Sequence, residues 1–106
     1  MSVRGVDADV VTAGADGRYL LLLLYVIGGG SASRRAVGNL RAICDERLPD
    51  RYTLEVIDLG EQPALAVDRN ILAVPTLVKQ LPLPAGRLIG DLSDTGRVLA
   101  VLGLEA

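Results

Sequence analysis

The apolar run Ile71-Leu72-Ala73-Val74-Pro75-Thr76-Leu77 is broken by a proline just where a strand should begin. Proline has no N–H to give to a ladder, so within sheets it is confined to strand starts, edges and bulges. The strand that follows must therefore start at Thr76. An X-Pro bond also has two accessible isomers, cis lying about 0.5–1 kcal/mol above trans before tertiary context acts. Pro75 thus sets how one strand enters a sheet, or marks a segment with two ways of packing.

The 106 residues suffice for one domain with a modest core. Half of them are apolar, enough to fold rather than stay disordered. The apolar content is almost all aliphatic, with no Trp, no Phe and three tyrosines, Tyr19, Tyr25 and Tyr52. A formal charge of −2 and few stacking surfaces argue against nucleic acid as a partner. With no histidine, the usual general base and the commonest metal ligand are both missing. Cys44 is the single cysteine, which excludes an intrachain disulfide, a CxxC pair and a cysteine-based zinc site. No enzyme activity, cofactor or metal is expected, and a reducing cytoplasm is the natural compartment. The apolar stretch from Leu20 to Ile27 is too short to span a bilayer, and the first residues carry no secretory signal.

Residues 1–17 are polar and read as a flexible N-terminal extension, whose pair Val10-Val11 is available to dock on a partner; residues 18–106 read as the folded domain. Arg18 to Ile27 is a leucine-rich strand covered on both faces, ended by Gly28-Gly29-Gly30. Ser31 or Ser33 offers an N-cap. Ala36, Val37, Leu40, Ile43, Cys44 and Leu48 then form one helical stripe, which Arg34, Arg35, Arg41 and Arg47 avoid. Pro49-Asp50 ends that helix. Tyr52 to Leu59 is a second strand, with Leu54, Val56 and Asp58 on one face and Thr53, Glu55 and Ile57 on the other. A short helix is predicted over Pro63 to Asn70. A third strand runs from Thr76 to Gln80, and a fourth, Arg87 to Gly90, returns antiparallel after a stiff turn. Ser93 is placed to cap a last helix whose Val98, Leu99, Val101 and Leu102 face inward.

This order is βαβαββα. The first half makes a right-handed parallel unit, and a small mixed sheet with helices on both faces satisfies the whole. The class is α/β and the architecture thioredoxin-like, a fold in which a proline before the third strand, usually in cis, sits beside the start of the first helix. Val74-Pro75 is in that place.

Leu24-Tyr25-Val26, then Gly28, Ser33-x-Arg35-Ala36 and Leu40-Arg41-x-Ile43 resemble the KaiB family of circadian clock proteins. So do Leu54-x-Val56-Ile57-Asp58, Pro63-x-Leu65, Ile71-Leu72-Ala73-x-Pro75-Thr76-Leu77 and Ile89-Gly90-Asp91-Leu92-Ser93. The resemblance runs from Tyr19 to about Leu102. It implies a non-catalytic regulator that binds a KaiC-type hexameric ATPase and, in the clock, also meets KaiA or competes with an adaptor histidine kinase. It also implies a metamorphic chain, monomeric and thioredoxin-like when bound, with a ground state that repacks the second half and assembles as a dimer or tetramer. On this resemblance Arg35, Arg41, Asp58 and Arg69 are the candidate partner contacts. Pro75, Gly90 and Asp91 are the candidate switch, and Gly90→Ala with Asp91→Arg is expected to favour the binding-competent monomer.

Plainer readings stand beside these. Gly28-Gly29-Gly30-Ser31 lacks the lysine of a P-loop and is adequate as a turn. Cys44 lies mid-helix on the apolar stripe, whereas a thioredoxin-type nucleophile would sit at the helix start. Asp91 and Asp94 suit capping and dipole compensation. The alternative function is a thioredoxin-fold module that holds a small thiol or a peptide without redox catalysis.

Overall fold

The computed structural model describes residues 19–104. The predicted extension at 1–17 lies outside the described residues. The elements are β1 (Leu20–Val26), α1 (Ser31–Arg47), β2 (Tyr52–Asp58), α2 (Ala64–Asp68), β3 (Thr76–Leu81), β4 (Gly86–Ile89) and α3 (Thr95–Leu102). They form one sheet in the order β2-β1-β3-β4. β1 runs parallel to β2, from Leu20 opposite Tyr52 to Val26 opposite Asp58. β3 is antiparallel to both β1 and β4.

Position in the sheet explains the sequence of β1. A central strand is buried on both faces, so an unbroken apolar run replaces alternation. Leu20, Leu22, Leu24 and Val26 point to one side. There they pack on Ala36, Leu40, Cys44 and Leu48 of the α1 stripe and on Val98 and Leu102 of α3. Leu23 and Tyr25 point to the other side, against Ile57, Leu59, Ile71 and Val78, covered by Leu65 and Ala66 of α2. Burying one such aliphatic side chain contributes about 1.5–3 kcal/mol.

β2 has the predicted facing, but it is an edge strand. Ile57 is buried beneath α2, whereas Thr53, Glu55 and Val56 are exposed. α2 is shorter than expected, because Asn70 enters the left-handed region at φ +57°. Both serine caps are corrected. α1 begins at Ser31 with Gly30 as N-cap and no capping side chain. α3 is capped by Asp94, whose Oδ1 accepts the Arg97 amide at 3.2 Å. The Ser93 amide donates instead to Asp91 Oδ1 at 3.1 Å. No helix among the described residues is long and apolar enough to cross a membrane.

Candidate partner-binding surface and switch region

The start of α1 is tied to the loop after β4. Arg35 Nε lies 3.2 Å from Asp91 Oδ2, and Asn39 Nδ2 donates to the Asp91 carbonyl at 2.9 Å. The Ser93 hydroxyl and amide, together with the Arg35 guanidinium, hold the Asp91 carboxyl below the usual carboxylate range. One residue earlier, the Gly90 amide donates to the Pro75 carbonyl at 3.0 Å. The Val74-Pro75 bond is cis. Arg35, Pro75, Gly90 and Asp91 therefore form one connected group at the junction of α1, β3 and β4. Gly90 has φ +129°, a conformation that L side chains rarely adopt, although nothing crowds the space a Cβ would fill.

The other candidate contacts are not part of that group. Asp58 Oδ1 accepts from the Gly28 amide at 3.2 Å and the Gly60 amide at 2.8 Å, so it braces the loops after β1 and β2. Arg41 is exposed on α1. Arg69 belongs to the opposite layer of the sheet. Its Nη1 donates to the buried Tyr25 hydroxyl at 2.8 Å, with the guanidinium carbon 6.0 Å from the ring centroid. Arg87 then reaches back to the carbonyls of Asn70 and Arg69, at 2.8 and 2.6 Å. Two of these contacts, Arg69 with Tyr25 and Asn39 with Asp91, join residues 44 and 52 positions apart, and no local pattern announces them.

Cys44 is wholly enclosed by the core, and burial pushes its thiol up to about 11, helped by the charge of Asp45. With no solvent exposure, the thiol packs as a small apolar group. Arg34 ties down the loop before α1 by donating to the Gly29 carbonyl. The Tyr52 hydroxyl donates to Asp45 Oδ1 at 2.6 Å, which with partial burial raises its pKa to about 12.

The family model for the KaiB domain matches residues 23–104. The chain belongs to the KaiB family. The circadian clock protein KaiB3 of Synechocystis sp. is 46% identical over 90 residues, 85% of this chain and 86% of that protein. The circadian clock oscillator protein KaiB of Synechococcus sp. (strain RCC307) is 50% identical over 84 residues, covering 79% of this chain and 76% of that protein. Among solved structures, the N-terminal domain of Synechococcus elongatus SasA superposes with a TM-score of 0.67 at 24% identity, over 97% of this chain and 91% of that one. Chloroplastic thioredoxin z gives a TM-score of 0.68 at 20% identity, over 97% and 93% of the two chains. At such identities these two speak for the thioredoxin-like fold alone. This KaiB-family chain, however, opens α1 with Gly30-Ser31-Ala32-Ser33, and its one thiol lies in the last turn of that helix.

Proposed function

We propose that this chain is a non-catalytic, cytoplasmic regulator that docks on a KaiC-like hexameric ATPase in a circadian or clock-derived signalling system. The KaiB-domain match across 82 consecutive residues, 23 to 104, carries this reading. The surface proposed for docking comprises α1, β2 and the segment leading to Pro75, with Arg35, Arg41, Asp58 and Arg69 as contacts. Of these, Arg69 contributes from the opposite layer, which requires the partner to wrap the sheet end. A KaiA-like protein or an adaptor histidine kinase is proposed as a further partner, and a dimer or tetramer as the unbound form.

Arg35, Pro75, Gly90 and Asp91 are proposed as the switch. Their bonds hold the thioredoxin-like packing together, so repacking the second half requires breaking them. Two packings coexist when they differ by only a few kcal/mol. Apparent affinity for the ring is then lowered by the fraction of chains in the competent state. Native mass spectrometry with the KaiC homologue of the same organism tests the reading. A ring carrying this chain is expected at micromolar concentration, with Arg41→Glu weakening it. Absence of any complex would overturn the proposal.

A further inference from the structure

We propose that the open edge of β4 is a docking surface for an extended segment of another protein that carries both apolar side chains and carboxylates. β4 is the outermost strand on its side of the sheet, so one of its backbone edges has no neighbour. Such an edge is a ready template for an added strand. Beside it lies a groove of about 330 Å³ whose lining includes Leu72, Ile89, Arg87 and Arg97.

Leu72 and Ile89 are 86% and 60% exposed, yet they belong to segments that the fold brings together from 17 positions apart. A contiguous apolar pair with a cationic rim is the composition of a contact surface. The charge chooses the occupant. The groove lining contains two guanidinium groups and no carboxylate. Both terminal nitrogens of Arg87 are held by backbone carbonyls, which fixes the group without engaging a carboxylate. The Arg97 side chain takes no hydrogen bond or ion pair among the described residues. An incoming carboxylate gains two cations, one of them already immobilised. A second copy presenting its own β4 would set arginine against arginine. The opposite sheet edge, β2, exposes Thr53 and Glu55 and lacks this cationic character.

The test needs no assumption about the ATPase ring, because its probes are synthetic peptides. Two short extended peptides, one alternating Val with Glu and one alternating Val with Lys, are titrated into the ¹⁵N-labelled chain. The Val-Glu peptide, at about 1 mM, is expected to shift the amides of Leu72, Thr76, Leu88, Ile89 and Arg97, and the Val-Lys peptide is not. Arg97→Glu, an exposed substitution, should weaken the Val-Glu response about tenfold and admit the Val-Lys peptide. Ile89→Ser should weaken both responses. Equal response to the two peptides, shifts confined to β2, or no shift would each overturn the proposal. Shifts that instead follow protein concentration without peptide would assign the edge to a second copy and overturn it as well.

Discussion

The two halves of this chain are held in different ways. The first half is built on one helix of 17 residues, in which Ala36, Leu40 and Cys44 are sealed against a strand that is itself buried on both faces. The second half has a helix of five residues with no buried side chain, a strand of four, and a last helix of eight. Its backbone turns on Asn70, Gly90, Leu92 and Gly103, all at positive φ. Its last helix still enters the shared core through Val98 and Leu102, but the loop before that helix is secured to α1 by polar contacts, Arg35 and Asn39 on Asp91. Apolar burial commits a segment to one partner surface. A few hydrogen bonds at an exposed junction can be exchanged for water at small net cost. The difference marks the second half as the place where another packing costs least.

Truncating the sealed half should produce the largest effect. Leu40→Ala is expected to cost about 2–5 kcal/mol in urea denaturation, with the whole chain unfolding in one transition. A smaller loss, or unfolding of the first half ahead of the second, would weaken the contrast. Next in size is Gly90→Ala. Placing a side chain at φ +129° should cost about 1–3 kcal/mol in this packing. Asp91→Arg adds to that by removing the Arg35 partner. The paired substitution therefore carries a cost in the thioredoxin-like packing, and it favours the binding-competent monomer only if the other packing loses more. Size-exclusion chromatography and amide shifts of Gly90→Ala, Asp91→Arg and the pair separate these contributions.

Native-state hydrogen exchange gives a subtler reading of the same comparison. Amides of β4 and α3 should exchange through openings that cost less than those exposing β1 and α1. Identical opening energies would remove the distinction. The smallest effects are those of pH. The folded-state pKa of Asp91 lies below its ordinary 3.8, so its contribution to stability is present above that value and lost as pH falls through the folded value. Asp91→Asn should flatten that acid limb. Cys44 is shifted the other way, from 9.0 to about 11. Its contribution is complete below pH 9.0 and declines as pH rises toward about 11. Cys44→Ala should reduce the slope in that window. Tyr52, raised from 10.0 to about 12, leaves a further decline at still higher pH.

Much of this was legible in the chain because its causes are local. The α1 stripe follows from spacing along one helix, and the unbroken Leu20–Leu24 run follows from a strand with neighbours on both sides. Sequence does not choose among the caps, because Ser31, Ser33, Ser93 and Asp94 are all competent acceptors. Which one is used depends on where the backbone turns, and that is set by packing at the sheet ends. Lys79 shows the same limit. Its alternation within β3 is readable, yet its burial beneath the end of α3, close to Gly103, is not. Three candidate contacts, Arg35, Arg41 and Asp58, lie within the motifs that carry the resemblance, whereas Arg69 lies outside them and falls on the other layer of the sheet.

From its residues alone this chain determines the order of its elements, the apolar faces they must hide, and the absence of histidine and of a second cysteine. Those properties depend on short-range periodicity and on composition. Only the tertiary structure decides that Arg35, Pro75, Gly90 and Asp91 meet, that Arg69 rests on Tyr25, and that Leu72 and Ile89 share a groove with two arginines. Each of these juxtapositions joins distant segments. They arise because closing the sheet around β1 leaves the loop positions little choice.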